Sequence, residues 1–350
     1  MNNAKYYFCT IHIYTIHIYT IHVFALYQKI EYNYSMRLRT ILLGLLFFFI
    51  TTFSFAEENN QNNPDTEPQE LIIFKNAFPD IIFTATYNEA LNDWQIKAAF
   101  STGTKDAEGN PIPGKKSASF IWCEGRLLPE YQLKNKKLFL PLLEDYPYHK
   151  ELQSPSTYTQ TQIEQYRQAG LASNRHNEPF PSQFLLDFIY SSSTRKTVEQ
   201  HLTRIKFLGH KVTVNERIVK PLAAVEKRLL EESKTNQNIA AFLKDVDHID
   251  GYNWREIRDV ERKSLHSIAI AIDFLPPKLN KHMYWRWTKD QKGDKWMLTP
   301  LKSRWMPPYD VINIFEEEGF VWGGKWLVWD NMHFEYRPEL IEFYRQNHKE

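Results

Sequence analysis

The hydrophobic pattern in the first half of the chain is typical of short strands. Between residues 71 and 141 the strand-like stretches are short, and the clearest are Trp94–Phe100 and Ser117–Trp122. A stretch that contains Gly and Pro, GTKDAEGNPIPGKK, lies between these two, as a hairpin connection would. The pattern therefore predicts a β-rich region over residues 71–194, with one helix near Gln160–Ala169.

Beyond Thr194 the period of the apolar positions changes to that of helices. The first positions with this spacing are Val198, His201, Leu202 and Ile205. Further helices are predicted at about Glu216–Glu232 and at Tyr309–Glu318, and the second of these ends before Gly319. Because helices and strands are segregated rather than alternating, the sequence predicts an α+β fold. We expect a small antiparallel sheet with flanking helices in residues 195–350, preceded by the β-rich region.

Residues 36–56, MRLRTILLGLLFFFITTFSFA, have the three parts of a secretory signal peptide. Arg37 and Arg39 form the positive start, and Ser54 and Ala56 are the small residues before the cleavage site. The apolar run is short for a membrane span, so a retained anchor is the less favoured alternative. Since a signal peptide stands at the N-terminus, residues 1–35 are predicted not to belong to the native protein, and residues 57–70 form a polar linker.

Composition narrows the possible partners and the compartment. The formal net charge is +1 without a long basic run, which gives no support for nucleic acid as a partner. After signal cleavage Cys123 is the remaining cysteine, so no internal disulfide forms. An exported chain without disulfides suits a bacterial envelope, and we expect a periplasmic or cell-envelope protein with no stable membrane span.

The stretch SLHSIAIAID, residues 264–273, carries polar side chains at both ends of an apolar run. His266 and Asp273 are seven residues apart, so an undistorted strand would direct them to opposite faces. Two interpretations remain open. Either the two residues have no partnership, or a β-bulge near Ala269 bends the strand so that both side chains converge on one ion.

A second segment, GFVWGGKWLVWDNMHFEYR, favours the convergent interpretation. Asp330 and His333 are three residues apart, which would place them side by side on a helical turn. Two histidines and a carboxylate with an open fourth position make a catalytic zinc site. A second carboxylate beside a metal-bound water would complete a hydrolase, because the ion acidifies the water and the carboxylate takes its proton.

These segments resemble the zinc D,D-peptidases, a family that includes the VanY-like D-alanyl-D-alanine carboxypeptidases and related L-alanyl-D-glutamate endopeptidases. SLHSIAIAID resembles the family segment S-x-H-x-x-G-x-A-x-D, and GFVWGGKWLVWDNMHFEYRP resembles its second block. Upstream, FLGHKVTVNERIVKPLAAVEKRL and DGYNWREI resemble the opening segment and the stretch that carries the family's arginine. The resemblance covers about Phe207–Pro338.

The resemblance implies a role for each matching residue. The implied zinc ligands are His266, Asp273 and His333. Asp330 would be the general base and later the acid, Arg255 would polarise the scissile carbonyl, and Ser264 would hydrogen-bond the substrate. Three departures matter: alanine stands at 269 where the family has glycine, Asp330 is more typical of the endopeptidase branch, and Arg262 is a rival for the role of Arg255.

The tryptophans of the second block have two possible roles. Trp322, Trp326 and Trp329 either pack in the core or form a wall of the substrate groove, and Trp326 is our candidate for substrate contact. The sequence thus predicts a Zn²⁺-dependent peptidase acting on peptidoglycan peptides, with removal of the terminal D-alanine favoured. The alternatives are an endopeptidase of the L-alanyl-D-glutamate type and an inactive module that binds cell-wall peptides.

Overall fold

In a computed structural model of the chain, residues 66–105, 111–260, 262–279 and 282–348 are described, and they fall in one compact unit, Asn62–Glu350. The predicted signal peptide, the upstream residues 1–35 and most of the predicted linker lie outside the described residues. None of the helices in the described ranges is long and apolar enough to cross a membrane. The predicted α+β class, with small antiparallel sheets, is confirmed.

The first sheet is three-stranded and antiparallel, in the order β1-β2-β3. Helix α1, Leu71–Ala77, precedes the strands Ile82–Asn88 (β1), Asp93–Lys105 (β2) and Pro111–Ile121 (β3). The two predicted strands lie within β2 and β3, which pair directly, for example Ile96 with Phe120. Both of these side chains are buried, because alternate positions of the two strands face the core.

Residues 122–199 contain more helix than strand. A two-residue parallel pair joins Phe139–Leu140 (β4) to Phe180–Pro181 (β5). The helices are Gln160–Ala169 (α2), Ala172–Asn177 (α3), Phe184–Ile189 (α4) and Arg195–Glu199 (α5). Helix α2 has the predicted bounds, and Thr159 and Gln162 form a capping box at its start. The strands of the predicted β-rich region are therefore concentrated in residues 82–121.

The helix predicted from the spacing of residues 198–205 is wrong. Helix α5 ends at Glu199, and Leu202–Phe207 (β6) forms a hairpin with His210–Asn215 (β7). Leu208 and Gly209 both have positive φ, as the two central residues of a tight hairpin turn require. The β-branched residues of β7 suit a strand, and this signal outweighs the helical spacing before it.

The next helices cover the second sheet. The predicted helix Glu216–Glu232 is present as a 3₁₀ turn, Glu216–Ile218, followed by Val219–Glu232 (α6). Its buried stripe consists of Leu222, Val225 and Leu229, as the spacing predicted. Helix α7, Gln237–Asp245, follows, with the side chain of Asn236 accepting hydrogen bonds at its N-terminus.

The second sheet is antiparallel and has the strand order β10-β11-β9-β8. Its strands are His248–Asp250 (β8), Ala271–Leu275 (β9), Phe320–Trp322 (β10) and His333–Tyr336 (β11). The remaining helices are Leu265–Ile268 (α8), Trp285–Lys292 (α9), Tyr309–Glu317 (α10) and Pro338–Asn347 (α11). Helix α10 was predicted within one residue, and Gly319 after it has φ +89°.

Phe274, Phe315 and Phe334 pack together under this sheet and fix the central strands. The rings of Phe315 and Phe334 are stacked with their centroids 4.2 Å apart, and Phe274 meets both rings edge-on. All three side chains are buried. The strands β9 and β11, which carry the site residues at their polar positions, are therefore held on a rigid apolar base.

Candidate metal centre and active-site cleft

The segment that contains His266 and Asp273 bends, but not through a β-bulge. Ser264 accepts a hydrogen bond from the His266 N–H at 3.3 Å and begins the helical turn α8. Ala269 ends this turn in the left-handed conformation, with φ 62° and ψ 30°, and β9 follows. The predicted bulged strand is thus replaced by a helical turn and a strand that meet at Ala269.

The prediction that Asp330 and His333 lie side by side on a helical turn is also wrong. The two residues flank a tight turn in which the His333 N–H donates to the Asp330 carbonyl at 3.3 Å. His333 begins β11, and Asp330 forms an isolated bridge with Tyr284. The two side chains therefore come from a turn and the strand that it starts.

The structure brings His266, Asp273 and His333 together. Asp273 on β9 and His333 on β11 are direct partners across the sheet. Asp273 Oδ1 lies 2.9 Å from His333 Nδ1, and Asp273 Oδ2 lies 3.2 Å from His266 Nε2. The two imidazole nitrogens are 3.2 Å apart, and one atom from each residue lies within 4.8 Å of the others. Three potential ligand atoms thus surround one small volume.

The outward nitrogens of both histidines are hydrogen-bonded. His266 Nδ1 is 2.7 Å from the Gly251 carbonyl, and His333 Nε2 is 3.0 Å from Glu335 Oε2. A carbonyl and a carboxylate only accept, so each outward nitrogen donates its proton, and each inward nitrogen can present a lone pair to an ion once it is deprotonated. Two lone pairs and a carboxylate fit a divalent cation, and the outer partners orient the rings as in known metal sites.

The charges at this centre favour a bound cation. Burial alone would raise the pKa of Asp273, but the charges and hydrogen bonds of His266 and His333 hold it well below its usual value. Burial alone would lower the pKa of His333, yet Asp273 and Glu335 raise it to about 10. Asp273 and Glu335 therefore stabilise a positive charge on the His333 ring.

Asp330 differs from the three potential ligands. Burial, together with the charge of Asp273, raises the pKa of Asp330 to about 7. Its Oδ1 atom is buried and has no hydrogen-bond partner among the described residues. A carboxylate with a free oxygen and a pKa near neutrality can accept and donate a proton under physiological conditions. The role of general base and acid that the family resemblance implies for Asp330 stays a prediction.

The two candidate arginines face different carboxylates. The charge of Arg255 acts on Asp330 and lowers its pKa, whereas the charge of Arg262 acts on Glu335. The backbone of Arg255 is fixed by Ser267, whose buried hydroxyl accepts from its N–H at 2.7 Å and donates to its carbonyl at 2.6 Å. The charge of Arg255 is therefore felt at Asp330, and Ser267 was not identified from the sequence.

The three tryptophans divide between core and cleft. Trp322 and Trp329 are buried, with 0% and 1% of their surface exposed. Trp326 is half-buried, its ring centroid is 5.2 Å from that of His333, and it lines the cleft. The neighbouring turn needs glycine, because a Cβ on Gly324 would lie 2.1 Å from the Trp322 ring. Of the three, only Trp326 can contact a ligand of the centre.

An open cleft with a volume of about 940 Å³ contains these groups. Ser264, Arg255, Trp326, Asp330 and His333 line it. Other lining residues come from outside the predicted site, and several precede residue 195: Glu144, Tyr146, Arg175, Glu178 and Gln183. These residues had no motif in the sequence, and only the folded chain brings them to the centre.

Comparison with known protein families gives a match for part of the chain. Residues 258–336 match a family model described as D-alanyl-D-alanine carboxypeptidase. The matched range includes His266, Asp273, Asp330 and His333, whereas Arg255 lies just before it. A search of curated proteins and a search of solved structures each found no match. The resemblance to the VanY-like D-alanyl-D-alanine carboxypeptidases is thus confirmed over residues 258–336.

Proposed function

We propose that the protein is an exported zinc peptidase that removes the terminal D-alanine from peptidoglycan stem peptides. The observation that carries this proposal is the convergence of His266, Asp273 and His333 beside Asp330, within the segment that matches the family. A metallopeptidase of the carboxypeptidase kind is the coarser statement, and the family match supports it directly.

Zinc is the proposed ion because of the donor set. Two imidazole nitrogens and one carboxylate, with room for a further ligand on the cleft side, are typical of catalytic zinc sites. When bound there, the ion would polarise the scissile carbonyl and acidify a water molecule. The outward nitrogens, His266 Nδ1 and His333 Nε2, are not free to bind the ion, because they are hydrogen-bonded to the Gly251 carbonyl and the Glu335 carboxylate.

The residues around the centre supply the remaining steps. Asp330 accepts a proton from the attacking water at its free Oδ1 and later donates it to the leaving amine. Arg255 stabilises the negative charge that develops on the carbonyl oxygen. Ser264 and Trp326 contact the substrate, the first by a hydrogen bond and the second with its exposed ring face.

The bond cleaved has a second candidate. Asp330 is more typical of the L-alanyl-D-glutamate endopeptidase branch, while the HFEYRP segment, residues 333–338, favours the carboxypeptidase branch. The description of the matching family agrees with the second, and for this reason we place carboxypeptidase activity first. Export rests on the signal-like segment of residues 36–56, so the proposed location is the periplasm or cell envelope.

The test is a mass spectrum of peptidoglycan peptides incubated with residues 57–350, with and without a chelator. Loss of one alanine that the chelator blocks and added zinc restores is the expected result. A break inside the stem would move the protein to the endopeptidase branch. Intact peptides after incubation with zinc-loaded protein would overturn the enzyme proposal and favour a module that only binds cell-wall peptides.

A further inference from the structure

Apolar and basic side chains are exposed together on one short segment that lies outside the family match. The apolar members, with 68%, 58% and 42% of their surface exposed, are Tyr131, Leu138 and Leu140. The basic members are Lys134 and Lys137, which are exposed as well. We call these five side chains the basic apolar patch. Exposed apolar groups this close together mark a surface that binds something.

The first part of the patch is arranged by a 3₁₀ helix, Glu130–Leu138. In such a helix residues three apart share a face, so Tyr131, Lys134 and Lys137 form one row. The Tyr131 ring lies 6.4 Å from the ring of Phe184, which holds the start of the row against the protein. The row therefore presents one aromatic ring and two ammonium groups to the solvent.

The leucines of the patch are directed outward by a buried neighbour. Phe139 on β4 is buried, and its ring packs against the rings of Phe180 and Phe184, with centroids 5.7 and 5.5 Å away. Successive side chains of an extended chain point to opposite sides. Leu138 and Leu140 flank Phe139, so both point away from the core.

The charge of the segment is positive, and most of it is not neutralised by ion pairs. Lysines stand at 134, 136 and 137, whereas Glu130 is the acidic residue of the segment 130–140. Lys136 Nζ is 3.9 Å from Glu124 Oε1, but Lys134 and Lys137 pair with no carboxylate of the described ranges. Leucine and tyrosine side chains beside unpaired lysines are suited to an anionic lipid surface, where the apolar groups enter the headgroup region and the ammonium groups contact phosphates.

The patch adjoins the wall of the cleft. Strand β4 pairs with β5 so that Phe139 is opposite Phe180 and Leu140 is opposite Pro181. Both β5 residues line the cleft, and so does Leu142, two residues after Leu140. A surface bound by the patch would therefore lie next to the cleft.

We propose that the basic apolar patch binds the surface of an anionic lipid bilayer and holds the cleft beside it. An exported chain, as the signal-like segment of residues 36–56 predicts, meets such a surface. A second copy of the chain fits the patch less well, because a two-fold contact would bring its lysines against those of the partner. The proposal goes beyond the proposed function, since it requires neither zinc nor turnover.

The test is cosedimentation of residues 57–350 with lipid vesicles, one set of phosphatidylcholine and the other of equal parts phosphatidylcholine and phosphatidylglycerol. Starting at residue 57 removes any lipid affinity of the signal-like segment. The protein is expected to bind the anionic vesicles about tenfold or more tightly, because each lysine near such a surface strengthens binding about fivefold. High salt is expected to remove this preference. Equal binding to both vesicles, or binding to neither, would overturn the proposal.

A double variant assigns the preference to the lysines. Lys134→Gln with Lys137→Gln is expected to weaken binding to the anionic vesicles about tenfold or more and to leave binding to phosphatidylcholine within about twofold. The matched control is Lys206→Gln with Lys211→Gln, two exposed lysines that face each other on the β6–β7 hairpin. An equal loss in the control would show that overall charge, rather than the patch, attracts the lipid, and would contradict the proposal.

A second double variant tests the apolar part. Leu138→Gln with Leu140→Gln is expected to weaken binding to the anionic vesicles about tenfold, whereas Leu230→Gln, at a leucine that is 50% exposed on α6, is expected to change it less than twofold. Sedimentation without lipid provides the alternative outcome. A wild-type dimer that the leucine variant dissociates would show that a second copy covers the patch, and would overturn the proposal.

Failure of this proposal differs from failure of the proposed function. Both double variants are expected to cleave a soluble stem peptide at the wild-type rate, because the substituted side chains do not line the described cleft. Cleavage by a wild-type protein that binds no vesicle would leave the function and remove the patch. Vesicle binding by a protein that cleaves no peptide would support the patch and remove the peptidase.

Discussion

Asp330 differs from the carboxylate among the three potential ligands, Asp273, in the hydrogen bonding of its oxygens. Asp273 uses both oxygens toward histidines, at 2.9 and 3.2 Å, whereas Asp330 keeps Oδ1 free of any hydrogen bond within the described ranges. An unpaired buried acceptor is costly, and it is retained where a function needs it. The cost is acceptable here because a proton or a substrate group can occupy that oxygen.

Replacing Asp330 by Asn tests this separation. We expect turnover of stem peptides to fall by at least 100-fold, since a general base contributes roughly 10²–10⁴-fold. Zinc content, measured by mass spectrometry of the purified protein, is expected to stay at the wild-type level. Asp290→Asn is the matched control, because Asp290 is exposed on α9. Unchanged turnover in the Asp330 variant would remove this residue from the mechanism.

The sequence predicted the residues of the centre better than their supports. His266, Asp273 and His333 were identified because histidine and aspartate side chains at fixed spacings form a recognisable motif. The Gly251 carbonyl that orients His266 leaves none, since any residue has a carbonyl. Ser267 lies inside SLHSIAIAID, but its hydrogen bond with Arg255 joins residues 12 positions apart that only the folded chain brings together. Such contacts are tertiary, and one sequence does not contain them.

At the scale of elements, the site depends on a change of backbone conformation within one segment. Helix α8 has four residues, and Ala269 at its end adopts φ 62°. In this conformation a Cβ lies close to the following carbonyl, at a cost of roughly 1–2 kcal/mol. The resembling family has glycine at this position. The chain therefore carries strain at the point that directs His266 and Asp273 toward each other.

Ala269→Gly measures that strain, with Ala271→Gly as its matched control. Both alanines are 0% exposed, and Ala271 lies in the regular strand β9. Each substitution removes a buried methyl group and adds backbone freedom, but only Ala269→Gly relieves a left-handed alanine. In urea unfolding, we expect Ala269→Gly to lower the free energy of unfolding by less than Ala271→Gly does, with a difference of at least about 1 kcal/mol. Equal costs at both positions would show that Ala269 is not strained.

Short elements account for the errors of the sequence-based prediction. The longer helices α2, α6 and α10 were predicted with nearly correct bounds because several turns repeat the apolar stripe. Strand β6 has six residues and α8 has four, too few for a period to be recognised. In both places the structure is decided by residues with positive φ, which are Leu208, Gly209 and Ala269. Of these, only the glycine is a residue type that predicts such a turn from sequence.

At the scale of the whole molecule, a buried hydrogen-bond network joins the cleft wall around Tyr146 to the second sheet. Glu316 on α10 accepts hydrogen bonds from the Tyr146 hydroxyl, from the His149 N–H at 2.8 Å and from Lys325. Tyr146 in turn accepts from the Trp322 N–H at 2.8 Å. The segment 146–149 is thereby fixed beside Lys325, which precedes Trp326 in the cleft. The wall is therefore part of the site's rigid frame.

Lys325→Met tests how much this network contributes to stability. The side chains of Lys325 and Glu316 are 1% and 0% exposed, so the substitution leaves an unpaired buried carboxylate. We expect a loss of about 3–5 kcal/mol in the free energy of unfolding. The matched control, Lys234→Met, breaks a Lys–Glu pair whose side chains are 65% and 71% exposed, and we expect about 0–1 kcal/mol.

The double variant Lys325→Met with Glu316→Gln separates the lost pair from the stranded charge. Glutamine has one carbonyl oxygen, so it can still accept a hydrogen bond from either Tyr146 or His149, and it carries no charge. The double variant is therefore expected to be more stable than Lys325→Met alone. Urea unfolding of all four proteins at equal zinc content provides the comparison. If Lys325→Met costs no more than Lys234→Met, the network does not hold the wall, and segment 146–149 must be fixed by its apolar contacts instead.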